Sequence, residues 1–169
     1  LYANDVSTGF AVDLSGEVLH TWDFPGRTQV EYFELLPDGG ALGVSVDQGV
    51  SRVDADSNEL WRADLHAHHD VLPLADGGAW VPVWEELEHQ GRRVRFDSLV
   101  RLAADGTESG RWSSHAAKDL LGALHEPSSL DVPANEAGDK VYDYFHLNTV
   151  RAIGPNARAD GVQVEVVVD

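Results

Sequence analysis

The chain has 169 residues and a formal net charge of −17 at pH 7, with 29 Asp and Glu against 12 Lys and Arg. A chain this acidic repels phosphate backbones and anionic headgroups, so neither nucleic acid nor a membrane surface is expected as a partner. The sequence contains no cysteine, which excludes disulfides, thiolate nucleophiles and cysteine-ligated metals, and no apolar run of about 18 residues predicts a membrane span.

Short strands and tight turns are predicted along the first third of the chain. Runs of apolar and β-branched residues are separated by Ser15-Gly16, by Pro37-Asp38-Gly39-Gly40 and by Asp56-Ser57-Asn58, which are turn signals. Strands of about five residues joined in this way are typical of an antiparallel all-β fold. The predicted strands cover residues 9–14, 18–22, 31–36, 41–46, 50–54 and 59–63.

Internal repeats indicate how these strands are organised. The segment 36–42, LPDGGAL, returns at 74–80 as LADGGAW, and an apolar-Asp, turn, apolar-Trp pattern occurs over 12–22, 53–61 and 102–112. Repeats about 40–50 residues apart, each with room for four strands, predict β-propeller blades. A β-sandwich with coincidental Asp-Gly turns is the alternative. In the propeller interpretation, the tryptophans at 22, 61 and 112 pack between blades, and Trp80 and Trp84 form core or channel wall.

One insertion interrupts the strand rhythm, at about residues 113–140. Residues 115–124 have helical spacing and good helix formers, whereas 128–139 are punctuated by Pro, Ser and Gly and predict a loop. The charged segment 85–95 is interpreted as a hairpin tip or a short excursion from the sheet. None of these segments has the character of a linker, so residues 1–169 are expected to form a single domain or part of one.

Histidines are the strongest chemical signal in the sequence. His66, His68 and His69 lie where one predicted blade passes to the next, and His146 begins the innermost strand of another. Innermost strands line a propeller's channel, so histidines from different blades are expected to converge there. A catalytic role and a structural role for them are about equally supported by the residues alone.

Two chemistries compete for this cluster. His66, His68, His69 and Asp70 offer donors for a metal ion, although alternate residues of one strand do not supply a closed coordination shell. Alternatively, an imidazole serves as general base or nucleophile. Asp70 then either orients a ring or only accepts backbone hydrogen bonds. Gly-x-Ser-x-Gly, Gly-x-Gly-x-x-Gly and P-loop motifs do not occur in the sequence.

The order of these motifs resembles the bacterial arylsulfotransferases. The segment 9–22, the Leu-Pro-Asp-Gly-Gly turn, His68-His69-Asp70 and the segment 145–150, FHLNTV, follow in that family's order. The resemblance implies a six-bladed propeller, of which three to four blades fall within this chain. It also implies an aryl sulfate in the central channel, a phenolic acceptor and a histidine that carries the sulfuryl group, with no 3′-phosphoadenosine or other cofactor.

When the family's motifs are matched to this sequence, the resemblance implies catalytic roles for His69, His146 and His68. It implies substrate binding by Asn148 and Asp70. The family's sulfated histidine and key arginine belong to motifs that would follow Asp169, and neither Arg151 nor Arg158 matches that arginine's motif. Either this sequence is part of a longer chain, or a second chain completes the ring, or the family's architecture has been repurposed. The resemblance also implies a periplasmic or secreted location. A non-catalytic binding module and a metal-assisted hydrolase remain the alternatives.

Overall fold

A computed structural model describes residues 7–89, 91–122, 131–132, 141–153 and 163–168. Within these residues the chain is built from largely antiparallel sheets and one short helix, α1 (Lys118–Gly122), which confirms the all-β prediction. The strands are β1 (Thr8–Val12), β2 (Val18–Asp23), β3 (Tyr32–Leu35), β4 (Ala41–Ser45), β5 (Gly49–Val53), β6 (Glu59–Ala63), β7 (Leu72–Pro73), β8 (Ala79–His89), β9 (Arg92–Leu102), β10 (Glu108–Ser113), β11 (Asp131–Val132), β12 (Val141–Asp143), β13 (Leu147–Ile153) and β14 (Gln163–Val168).

Two successive units of the chain have the same topology. Strands β3 to β6 form a four-stranded antiparallel sheet in chain order, and β7 to β10 pair in the same order. Strand β12 then pairs in parallel with the outer half of β9 and carries β11 beside it. The hairpins β1–β2 and β13–β14 lie before and after these two units.

The sequence repeat folds into the same turn twice. In each copy the leading leucine and the second glycine close a backbone loop, Leu36 with Gly40 and Leu74 with Gly78. The aspartate of each copy accepts a hydrogen bond from that second glycine's N–H. An arginine two strands along the sheet then binds the carboxylate in both units. These pairs are Arg52 with Asp38 and Arg101 with Asp76.

Gly77→Ala is expected to lower the free energy of unfolding by about 1–2 kcal/mol. Gly77 has a φ of 83°, and a Cβ there would stand 3.3 Å from the Ala104 Cβ. An L-residue with a side chain is disfavoured in this left-handed conformation by about that amount. Urea unfolding measures the loss. Gly110→Ala is the control, because Gly110 lies outside the left-handed region and its added Cβ meets nothing nearer than 3.7 Å; an equal loss there would contradict the argument.

The aspartates of the two turns are expected to lower the free energy of unfolding in acid. Hydrogen bonds from the Gly40 and Gly78 N–H groups lower the pKa of Asp38 and Asp76 below its ordinary value. Because the folded pKa is the lower one, the folded chain binds fewer protons than the unfolded chain. The stabilisation is therefore full above the unfolded pKa of about 3.9 and is lost as the pH falls through the folded value.

Asp76→Asn is expected to flatten this acid dependence, because the amide oxygen still accepts the turn hydrogen bond but does not titrate. The measurement is the urea midpoint between pH 5 and pH 2.5. Asp56→Asn is the matched control, since Asp56 enters its turn through the backbone N–H rather than the carboxylate. An unchanged acid slope in Asp76→Asn would contradict the assignment.

The main core lies between the two four-stranded units. Alternate residues of β4 and β5, including Leu42, Val44 and Val50, pack against Val81 and Val100 of β8 and β9. All five side chains are at most 2% exposed. The period-two alternation of these strands therefore places one face of each unit against the other.

The insertion departs from its prediction where the structure describes it. Helix α1 lies inside the predicted 115–124 helix, but residues 123–130 and 133–140 are outside the described part of the chain. The prediction of a loop over residues 128–139 is wrong at Asp131–Val132, because those two residues form β11 and pair with β12. The predicted hairpin tip at 85–95 is confirmed as the far end of β8 and β9.

Candidate functional site

The His68-His69 loop is fastened to the edge of β8. Ala67 forms an antiparallel bridge with Val83, and the His68 N–H donates to the Pro82 carbonyl. His69 then adopts a left-handed backbone conformation with a φ of 62°. This conformation is uncommon for a residue with a side chain, and it turns the chain sharply between two histidines.

His69 and His146 lie in direct contact, as their predicted convergence requires. The Nε2 atoms of the two rings are 3.0 Å apart, although the residues are 77 positions apart in sequence. The rings are nearly edge to face, with centroids 5.1 Å apart. Two nitrogens at this distance share one proton, since two lone pairs or two N–H groups would repel.

Glu31 holds His69 from the opposite side. One carboxylate oxygen, Oε2, accepts the His69 backbone N–H at 2.9 Å, and the other, Oε1, lies 3.0 Å from the ring Nδ1. Glu31 precedes β3 and therefore comes from a different sheet. The result is a line of three groups in contact, from the Glu31 carboxylate through the His69 ring to the His146 ring.

Asp97 fixes the segment that carries His146. This residue of β9 is 1% exposed, and its Oδ2 accepts the Leu147 N–H at 2.5 Å. Its other oxygen, Oδ1, lies 3.4 Å from Nε2 of the buried His68, outside hydrogen-bond geometry. Asp97 thus joins the His68-His69 loop to the start of β13.

Asp70 makes a second link between the same two segments. Its Oδ2 accepts hydrogen bonds from the Thr149 hydroxyl, the Val150 N–H and the Arg151 guanidinium, and its Oδ1 accepts the Val71 N–H. Burial is the largest single influence and disfavours the charge of Arg151, but Asp70 together with Tyr32 and Glu34 outweighs it and raises the pKa of that guanidinium. Asp70 is 2% exposed, so its carboxylate is committed to holding β13 in place.

These links frame a small cavity of about 130 Å³. Three of the predicted site residues line it, whereas Asp70 and Asn148 are not among the lining residues that the structure describes. The lining also includes Trp84, which was expected in the core or channel wall, and charged side chains that were not predicted. The residues are Glu31, Val46, Asp47, His68, His69, Trp84, Arg95, Asp97 and His146.

Trp84 forms one wall of the cavity and has both ring faces covered. The His66 ring stacks on it with centroids 4.1 Å apart, and the Arg95 guanidinium carbon lies 3.9 Å from the ring centroid. The indole N–H donates to Asp47 at 2.7 Å. Trp84 therefore holds Arg95 in a cation–π contact at the cavity, rather than offering a bare face to a ligand.

The four residues suggested as metal ligands do not come together. His66 stacks on the far side of Trp84, and Asp70 turns toward β13, while His68 and His69 line the cavity. Within the described part of the chain, no group of three or more His, Asp or Glu side chains has the arrangement of a metal site. The reason is that the 66–69 segment is not a regular strand with alternate residues on one face.

Glu31, Arg95 and Asp97 were missed by sequence reasoning. Asp97 carried a usable signal, because it is a carboxylate near the apolar residues Phe96, Leu99 and Val100 of β9, and it is buried there. Arg95 lies two residues before it, on the same face of the strand. Glu31 gives no local signal, since its partner lies 38 residues away on another sheet.

No protein-family model matches the chain, and no curated protein gives a significant match. Among the described residues, no helix has the length and apolar character that crossing a membrane requires.

Proposed function

We propose that the cavity at His69 and His146 transfers a sulfuryl group from a small aryl sulfate to a phenolic acceptor. The observation that carries the proposal is the 3.0 Å contact between the two Nε2 atoms at the wall of a cavity that also holds an arginine. A pair of imidazoles sharing one proton can give a proton to a departing oxygen and take one from an incoming hydroxyl.

One cationic group of the cavity, Arg95, can bind an oxygen of an anionic ester. Arg95 supplies a fixed positive charge, and its Nε is a buried donor without a hydrogen-bond partner among the described residues. The carboxylates of Glu31, Asp47 and Asp97 are already hydrogen-bonded to protein donors. A sulfuryl oxygen placed against Arg95 would therefore accept the hydrogen bond that the Arg95 Nε–H can donate.

The cavity volume favours a ligand with one aromatic ring. About 130 Å³ is close to the roughly 150 Å³ of an apolar cavity that holds one benzene molecule. The resemblance to arylsulfotransferases, noted on the motifs around His69 and His146, names the same class of donor. No observation favours the metal-assisted alternative, because the four residues suggested for it do not converge.

In this proposal the group passes through an imidazole nitrogen. A nitrogen–sulfur bond forms at a nucleophilic histidine of the completed channel as the bond between sulfur and the aryl oxygen breaks. The His69/His146 pair enters this step with one proton more than two neutral rings hold, and gives that proton to the departing oxygen. In the second half, the acceptor hydroxyl returns a proton to the pair while its oxygen displaces the nitrogen from sulfur. Protons and charge balance over the cycle, and no cofactor takes part.

The proposal extends to architecture and setting. The two four-stranded units, with identical turns and ion pairs, support propeller blades that continue through the β13–β14 hairpin. A complete channel would then need further blades, supplied by this protein or by a second chain. A periplasmic or secreted location accompanies the arylsulfotransferase assignment.

The test is the release of p-nitrophenol from p-nitrophenyl sulfate, with and without added phenol. The proposal predicts release that phenol accelerates, because phenol collects the group from the histidine. Release that is indifferent to phenol would indicate hydrolysis and contradict transfer. No release in either condition would also contradict the proposal and leave a binding module as the interpretation.

A further inference from the structure

The contacts of Glu31 point to a role in the site that neither the sequence motifs nor the resemblance assigns. We propose that Glu31 is a positioning residue that fixes the tautomer of His69, and so fixes which ring of the His69/His146 pair holds the shared proton. The effect of Glu31 on turnover rests on the proposed function. Its structural part stands on geometry alone.

The two oxygens of Glu31 define the proton positions on His69. The Oε2 atom accepts the backbone N–H, and Oε1 faces the ring Nδ1 at 3.0 Å. A carboxylate only accepts hydrogen bonds, so Nδ1 must carry a proton. In the neutral ring, Nε2 is then the acceptor, and the shared proton at the 3.0 Å contact resides on His146 Nε2.

Glu31 also defines what happens when that proton moves. If His146 takes up a proton at its other nitrogen and passes its Nε2 proton to His69, the resulting His69 imidazolium has the Glu31 carboxylate at its Nδ1. The positive charge therefore develops on the ring that has an anionic partner in contact. His69 is therefore the member of the pair that becomes the imidazolium, and His146 is the member that exchanges a proton with the reacting oxygens.

The residues around His69 hold the Glu31 side chain in a fixed position against it. The Glu31 N–H donates to the Val44 carbonyl, which continues the β3–β4 pairing and fixes the base of its side chain. The Glu31 side chain is only 23% exposed. At the other end, the left-handed backbone of His69 is disfavoured for a residue with a side chain, and the hydrogen bond from its N–H to Glu31 offsets part of that strain.

Other charged groups face His69 from each neighbouring element. His68 belongs to the same loop, with ring centroids 4.9 Å apart, and His146 precedes β13. Arg95 and Asp97 of β9 and Asp47 of the β4–β5 turn line the same cavity. Glu31 differs from these groups because it contacts both the backbone N–H and the ring of His69.

Glu31→Gln provides a sharp test because it keeps the shape and reverses one contact. The backbone N–H of His69 keeps its proton, so the Gln carbonyl oxygen must face it. The Gln amide NH₂ then faces Nδ1 and makes that nitrogen an acceptor. The substitution is therefore expected to move the His69 proton from Nδ1 to Nε2, and to move the proton of His146 away from its own Nε2.

The first readout is the imidazole nitrogen spectrum of ¹⁵N-labelled protein, with His69 assigned by a His69→Gln variant. We expect protonated Nδ1 in the wild type and protonated Nε2 in Glu31→Gln. The matched control is Glu34→Gln, because that amide oxygen can still accept the Tyr32 hydroxyl and the change in charge is the same. A wild-type His69 protonated only at Nε2, or an unchanged tautomer in Glu31→Gln, would overturn the positioning role.

The second readout is phenol-dependent release of p-nitrophenol. Glu31→Gln is expected to lower it by about 10²–10⁴-fold and to move its pH profile, with Glu34→Gln unchanged. An inverted tautomer with unaltered turnover would overturn the role in the reaction. A wild type without turnover would instead contradict the proposed function, and the nitrogen spectrum would still decide whether Glu31 fixes the tautomer.

Discussion

His146→Ala is expected to lower phenol-dependent release of p-nitrophenol by about 10³-fold or more, with little change in the free energy of unfolding. The substitution removes one of the two nitrogens in the 3.0 Å contact with His69, so the pair loses the proton that the proposed transfer uses. The measurements are initial rates at saturating phenol and urea unfolding of the same preparation.

His69→Ala is expected to have a comparable effect, and the double variant should lose little more than either single one. Residues that act as one unit give non-additive losses, whereas independent contributions would multiply. His20→Ala is the matched control, because this exposed histidine of β2 bonds the Ala55 carbonyl and lies outside the cavity lining. Retained turnover in both single variants would contradict the assignment of the pair.

Asp70→Ala is expected to lower the free energy of unfolding by about 3–5 kcal/mol, the largest stability effect that we predict. Removing one partner of a buried, hydrogen-bonded charge typically costs that much. Asp70 is 2% exposed, and its loss would leave the Thr149 hydroxyl and the Val150 N–H without their acceptor. Urea unfolding measures the effect, and Asp70→Asn should lose less because an amide oxygen remains.

Asp64→Ala is the control for this prediction. The Asp64 side chain is 81% exposed and pairs with Arg27 at 3.4 Å, so its removal should cost about 1 kcal/mol or less. A loss of that size in Asp70→Ala would contradict the view that Asp70 holds β13 in place. It would instead revive the expectation that the carboxylate serves the substrate.

Much of the fold could be predicted from the sequence because its signals are local. The strands predicted for the first 63 residues match β1 to β6 within about two residues at each end. The turn residues Gly39 and Gly77 take the positive φ that their motif requires. Local periodicity and turn chemistry do not, however, state how successive sheets pack, so a propeller remains a proposal.

The site could be predicted only in part, for the same physical reason. The contact between His69 and His146 was expected from the placement of two histidines at similar points in successive repeats. The carboxylate at the His69 ring was not, because Glu31 reaches it from another sheet. The role of Asp70 was left open between orienting a ring and binding backbone, and its contacts agree with the second reading.

The most direct test of the account is the stoichiometry of transfer. Purified protein would be incubated with p-nitrophenyl sulfate and excess phenol, and the p-nitrophenol and phenyl sulfate formed would be quantified together by liquid chromatography and mass spectrometry. The account predicts equal amounts of the two products, with both lost in His69→Ala and His146→Ala. Formation of p-nitrophenol with inorganic sulfate in place of phenyl sulfate would contradict it.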